Sequence, residues 1–331
     1  MTLFLIYPSQ VADSVAASLK LCAFTVIPSL FPFAVASNLL VKSNNFSSDT
    51  PTAKIFSRIF NCSPLLFPVF LSGIAGGYPI GAISASEMYK NGLCSKDDAQ
   101  KALSFCCFGG PSFIISAVGA SIMGNVGCGI YLYVCHTVSA ILTGIIMRPF
   151  FCTKKNCKSL STDKTISLPV CLTSAIKDST ASMISVCSCI IFFSSVTAVL
   201  TALKIDYPFI TAILEMTTGV KNLAVSDITP TLVLPSISAC IAFGGLSVHS
   251  QVISVCSHTD ISIQPFFIGK TVHALLAFFI TILSQNLLGK KAVFLSISPN
   301  FDISFPIYIS VFLSFSYIAL KKCGNKVSNK L

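Results

Sequence analysis

Few residues in this chain are able to do chemistry, and those few sit in apolar surroundings. Glu215 is the one acid in the apolar run 207–219. A carboxylate inside a membrane is costly, so it faces a cavity or a partner, where it would carry a proton or hold a coupling cation. The alternative is a place near a helix end, from which it reaches the interface. Thr217 and Thr218 follow it directly. His249 and Gln251 come just after the pair Gly244-Gly245, and Ser112 follows Gly109-Gly110 much as Ser247 follows the later pair. Hydroxyl, amide and imidazole groups can donate to a carboxylate. Each also has a plainer use: hydroxyls bond helix carbonyls, a lone His such as His249 is commonly structural, and His136, in mid-helix, reads as packing. No H-E-x-x-H, G-x-S-x-G or Walker A segment is present, so no catalytic residue, cofactor or resident metal is expected.

The elements that position these residues are broken helices. Gly76, Gly77, Pro79 and Gly81 fall within six positions, with Tyr78 among them, and Gly109, Gly110 and Pro111 are consecutive. Pro removes a backbone donor, and Gly reaches backbone angles that other residues do not reach cheaply. In lipid such breaks survive only inside protein or beside a water-filled cavity. Gly and Pro also serve close helix packing in membranes, but this density, occurring twice, points to a discontinuous site of the kind found in secondary transporters.

Composition sets the class. Of 331 residues, 53% are hydrophobic and only 10% charged, against roughly 25% charged in soluble domains; mean hydropathy is +0.80. The expectation is an all-α polytopic membrane protein whose partner is the lipid bilayer. The net charge of +10 reflects basic loops rather than nucleic-acid binding, because the basic residues are scattered or terminal. Fifteen cysteines, an odd number mostly inside apolar runs, read as reduced structural residues.

In chain order the apolar runs suggest about eight membrane segments. The first, 11–41, should be kinked or divided at Pro28 and Pro32; the stretch before it looks too short for a full span and lacks a convincing signal. Residues 53–60 suit the interface, and Ser95 followed by Asp98 reads as a helix cap. Residues 168–180 read as a separate amphipathic segment, and 304–320 as a last short span. The stretch 148–164 holds Arg148, Lys154, Lys155, Lys158 and Lys164 against Asp163 alone, and is expected on the cytoplasmic side. It separates two halves that share a motif: Phe108-Gly109-Gly110-Pro111-Ser112 recurs as Phe243-Gly244-Gly245-Leu246-Ser247. In each half a Gly-bearing break precedes the motif. The expected organisation is a first repeat 1–150, a basic loop 151–164 and a second repeat 165–331, each with broken or re-entrant helices.

Several of these stretches together carry a resemblance. Leu30-Phe31-Pro32-Phe33, Gly77-Tyr78-Pro79-Ile80-Gly81-Ala82, Phe105-Cys106, Gly110-Pro111-Ser112-Phe113-Ile114-Ile115, Glu215-Met216-Thr217-Thr218-Gly219 and Gly244-Gly245-Leu246-Ser247-Val248-His249-Ser250-Gln251 occur in this order. The chain resembles the sporulation integral membrane proteins of the YlbJ type, which carry a nucleoside-recognition or gate domain. Two departures stand out: Cys107 and Phe108 replace a polar residue of the pattern, and Ile83 replaces a basic one. The resemblance implies a multi-pass protein of the mother-cell membrane around the forespore, moving a small organic anion, dipicolinic acid first among candidates. A non-transporting scaffold for cortex or coat assembly, and a nucleoside or metal-ion carrier, are the alternatives. Under the transport reading the substrate would meet half-helix N-termini at Gly76, Gly77, Tyr78, Pro79, Gly81, Gly109, Gly110, Ser112, Thr217, Thr218, Gly219, Gly244, Gly245, Ser247, His249 and Gln251. Tyr78, Phe108 and Phe243 would pack on its ring, and Glu215 would serve a proton or cation.

Overall fold

The computed structural model describes residues 2–42, 50–151, 168–205 and 207–288, and every regular element in them is helical. The expected span 304–320, Lys290 and Lys291, the basic tail and most of the basic loop lie outside the described residues. A short α1 (Thr2–Ile6) is set off by a bend at Tyr7 from α2 (Pro8–Leu21), which continues through a π-helical turn (Cys22–Val26) into α3 (Ile27–Lys42) without interruption. Of the kink or division expected at Pro28 and Pro32, the division does not occur: the helix continues through both residues. Pro28 cannot donate to the carbonyl four residues back, and the wider π turn just before it absorbs that mismatch while the helix continues. Before Pro8 there is only the five-residue α1, and the helix is continuous across 8–42.

In the second half, α9 (Leu168–Ala202) is one helix of 35 residues. The separate amphipathic segment expected at 168–180 is simply its first turns, since nothing between Ser179 and Met183 breaks the helix. It runs antiparallel to α2 and α3: Asn38 Nδ2 donates to Ser179 Oγ at 2.9 Å, while the start of α2 meets the end of α9. Cys22, Ala34, Met183, Val186 and Ile190 bury the seam against Ile80.

The amphipathic α4 (Pro51–Phe60) is capped by Thr50 Oγ1, which accepts from the Ala53 N–H at 3.3 Å. The chain then turns by 105° into the membrane, and Phe60 stacks on Phe105 with centroids 4.6 Å apart. α5 (Phe67–Gly76) and α6 (Ile80–Lys90) form a hairpin whose two ends lie together. Near its start the Ser63 N–H donates to Asp98 Oδ1, and near its finish the Tyr89 hydroxyl donates to Asp260 Oδ1. α7 (Lys96–Cys106) starts at that same end behind its Ser95 cap, where Ser95 Oγ accepts from the Asp98 N–H at 3.1 Å. It breaks at 107–110 and resumes as a π-helical segment (Ser112–Ile122); α8 (Val126–Ile146) returns.

Elements of the same kinds follow α9 in the same order. α10 (Pro208–Leu214) and α11 (Met216–Ala224) make a second hairpin with its tip at Glu215; Asn222 Nδ2 donates to Thr211 Oγ1 at 3.1 Å across it, and Gly219 lies against Ala212. α12 (Pro230–Phe243) breaks at Gly244 into α13 (Gly245–Cys256), and α14 (Gln264–Leu288) returns, packing on α12, α8 and α7. Lys221 and Asn222 lie with Tyr7 and Ala202, whereas Gln264 lies with Asp97 and Met147. The two hairpins therefore enter from opposite ends and their tips meet inside. Among the described residues four helical stretches are long and apolar enough to cross a membrane, one of them the pair α12 and α13 with its break at Gly244, or five if the bent pair formed by α4 with the following helix counts as one. The chain is an all-α, multi-pass membrane protein, and its remaining passages are broken ones too.

Candidate functional site

The breaks converge because glycine lets two backbones touch. Gly77, with φ of +74°, lies so close to Gly110 that a Cβ on it would come within 2.5 Å of the Gly110 nitrogen. No L-residue adopts that conformation cheaply, and none would leave room for the neighbour. The same holds at Gly244 and Gly245, whose φ angles are +84° and +70° and which let α13 start against the tip of the second hairpin.

Between the four broken segments lies a narrow cavity of about 60 Å³, walled by Tyr78, Gly109, Gly110, Ser112, Glu215, Thr217, Ser247 and Gln251, with Val26, Leu30, Val186 and Ile190 closing it from α3, its π turn and α9. A space of that size holds a few waters. Ser112 and Ser247, the last residues of the two Phe-Gly-Gly-x-Ser copies, both face it. The helices that begin there, the π-helical segment and α13, have no side-chain cap on their first amides. Glu215 closes the third helix start: its Oε1 accepts from the Thr217 N–H at 2.9 Å and its Oε2 from the Thr218 N–H at 2.7 Å. That places the carboxylate at the interior hairpin tip, 2% exposed, not at the interface.

Other expected site residues stand elsewhere. Gly81 packs on the Cys106 carbonyl and Gly219 on Ala212, so both serve helix packing. Gly76 is covered by Ile80, and Pro79 leads into α6. Gly244 and Gly245 shape the break without walling the cavity, and Thr218 contributes its amide to Glu215. His249 turns away: its Nδ1 lies 2.7 Å from the Gly245 carbonyl and its ring packs on Phe243, Phe266 and Phe267. Phe108 packs on Phe70 and His136. Phe108 and Phe243 therefore do not flank the cavity, and Tyr78 alone of the three aromatics does. Cys107, Phe108 and Ile83, where the sequence departs from the family pattern, are all buried.

A polar cluster directly behind the wall was not assembled by the sequence reading. Lys270, on α14 and fully buried, donates from Nζ to the Tyr78 hydroxyl and to the Cys107 carbonyl, both at 2.5 Å, and lies 3.2 Å from His273 Nδ1. His136 Nε2 accepts from the Gly109 N–H at 2.9 Å, and His273 Nε2 lies 3.1 Å from the His136 carbonyl. The signal was present in part: Lys270 and His273 stand three apart inside an apolar span, an expensive arrangement. A second, polar cavity of about 580 Å³ runs between α2, α9 and α11. Ser14, Ser18, Thr197 and Thr201 line it, Asp13 and Lys221 flank it, and it reaches Thr217, which it shares with the inner cavity.

At the end away from Lys221, Asp260 accepts from the Tyr89 hydroxyl at 2.7 Å and from Lys96 Nζ at 2.9 Å, and the Ser262 N–H donates to Gln100 Oε1 at 2.9 Å. These bonds tie the link between α6 and α7 to the link between α13 and α14.

The sequence has a relative among known proteins. The chain is 25% identical over 295 residues, 76% of its own length and 72% of the other's, to the sporulation integral membrane protein YlbJ of Bacillus subtilis. The likeness is one of sequence and spans most of both chains. No family profile matches the chain, and no solved structure does either. The name of that relative describes an integral membrane protein, and the apolar helices of this chain display the same character independently.

Proposed function

We propose that this protein carries a small organic anion across a membrane during sporulation, with dipicolinic acid the first candidate, in the mother-cell membrane around the forespore. The observation that carries the reading is the meeting of two re-entrant hairpins and two broken helices, entering from opposite ends, at one interior cavity. Helices broken at mid-depth are tolerated where backbone groups are turned to a ligand or its path. Two uncapped helix starts, Ser112, Ser247 and Gln251 offer donors there, and helix starts favour negative charge. The printed name of the relative supports the sporulation setting; the resemblance set out from the sequence supports the substrate.

At about 60 Å³ the cavity is well below the few hundred Å³ of a small-molecule pocket. On this reading the conformation is an occluded one, closed at one end by the Asp260 clasp and separated from the polar cavity by Thr217. Residues 1–150 and 165–331 would act as inverted repeats, rocking about the seam between α3 and α9.

The test is genetic and chemical. Spores of a strain lacking the protein should be poor in dipicolinate, stay poor when dipicolinate is supplied outside, and recover when the gene is returned. Normal dipicolinate in the deleted strain would overturn the reading.

A further inference from the structure

We propose that Lys270 is the fixed cation that makes the inner cavity select dianions over monoanions and neutral molecules of the same shape. This deepens the transport reading and rests on it for the identity of the cavity.

The charge state follows from geometry. The Tyr78 hydroxyl lies 3.2 and 3.1 Å from the carbonyls of Ile241 and Ala242, so its proton is spent there and its oxygen accepts from Lys270. The Cys107 carbonyl can only accept. His273 Nε2 faces the His136 carbonyl and so carries the proton of that ring, leaving Nδ1 as an acceptor. All three neighbours of Nζ accept, which requires three donors: an ammonium, not an amine.

Its partners are all neutral. The ion pairs Lys90 with Glu87 and Lys96 with Asp260 lie at the links between α6 and α7 and between α13 and α14, and neither includes Lys270. A fully buried cation without a carboxylate partner is an unbalanced charge. Glu215 forms no ion pair with it: both carboxylate oxygens accept from the amides of Thr217 and Thr218 at the start of α11, where the helix dipole faces that charge. The groups between Lys270 and the cavity are Tyr78, whose ring lies 4.6 Å from Nζ, and the break 107–110. Positive charge thus stands one layer behind the wall formed by Tyr78, Gly109 and Gly110, in a medium that screens it little. An anion in the cavity supplies the missing counter-charge across that layer, and a second carboxylate strengthens the attraction.

The experiment uses the purified full chain and three probes of one shape: pyridine-2,6-dicarboxylate, pyridine-2-carboxylate and pyridine-2,6-dicarboxamide. Equilibrium binding is measured beside uptake into liposomes. The wild type should bind them in the order dianion, monoanion, neutral, with steps of roughly tenfold per carboxylate, the scale of one charge interaction through an intermediate dielectric. Lys270→Met and Lys270→Gln should flatten that order while leaving the dicarboxamide bound as before, and Lys270→Arg should keep it. Equal loss for all three probes, or an unchanged order in the neutral variants, would overturn the proposal. If neither neutral variant folds, the wild-type series still decides it, since absence of the charge order overturns it. Dianion-selective binding that depends on Lys270, without any uptake, would keep this proposal and remove the transport reading.

Discussion

Ser112 and Ser247 face one cavity from opposite halves of the chain. Each follows a Gly-Gly pair at a helix break, and each lies in the first turn of the helix beyond it. Gln251 reaches back to Ser247 from one turn further on, at 3.5 Å.

Removing either hydroxyl should therefore weaken substrate binding without disturbing the fold. Ser112→Ala and Ser247→Ala are each expected to cost about 1–3 kcal/mol of binding, the value of one polar contact to a charged ligand. Equilibrium binding of dipicolinate to the purified variants measures it. Wild-type affinity in both would separate these hydroxyls from the site.

These two positions show what was legible in the chain. A density of Gly and Pro inside apolar runs is a local signal, and its recurrence located both breaks. The spacing of Ser247 and Gln251, four apart on one helix, marks a shared face; His249 lies between them in sequence and on another face, so residue type misled where helical period would have decided. Gly81 and Gly219 could not be told from site glycines, because packing against Cys106 and Ala212 is a tertiary fact. The cluster of Lys270, His273 and His136 was hidden for the same reason: its members come from α8 and α14, and it takes its shape from Tyr78 and Cys107 on two other elements.

The polar cavity between α2, α9 and α11 offers a route to Thr217, and its wall includes Ala17 on an exposed face. Ala17→Phe fills space there without entering the core. It should slow dipicolinate uptake severalfold and leave equilibrium binding unchanged, while Ala17→Ser should do neither. Uptake at the wild-type rate in the phenylalanine variant would assign the route elsewhere.

Asp260 closes the opposite end. Hydrogen bonding from Tyr89, then from Lys96, holds its carboxyl below the ordinary carboxylate range. Because the folded value is lowered, the clasp contributes above the unfolded carboxyl value and is lost as pH falls through the folded one. The clasp should thus stay closed through neutral and mildly acidic pH and release only in stronger acid. Asp260→Asn should reproduce the released state at neutral pH, read as faster tryptic cleavage after Lys96. High salt should move the wild type the same way, since the pair is exposed and screened. Cleavage unaffected by the substitution would show that the Gln100 and Ser262 contact alone holds the links.

Glu215 carries the last prediction. Its carboxylate occupies the only helix start at the cavity that a side chain caps, among the described residues, and it adjoins Thr217, the residue common to both cavities. A substrate carboxylate seeking those amides competes with Glu215 for them. Protonation of Glu215 would weaken its hold on the amides and free them, coupling a proton to the incoming anion. Glu215→Gln cannot take up or release that proton, and only its amide oxygen still accepts. The variant should reach the membrane in normal amount, with a loss of about 1 kcal/mol in local stability from the poorer cap. Net uptake of dipicolinate driven by a pH gradient should be lost, while exchange of labelled for unlabelled dipicolinate persists. Gradient-driven uptake at the wild-type rate would reduce Glu215 to a helix cap and remove the proton from the mechanism.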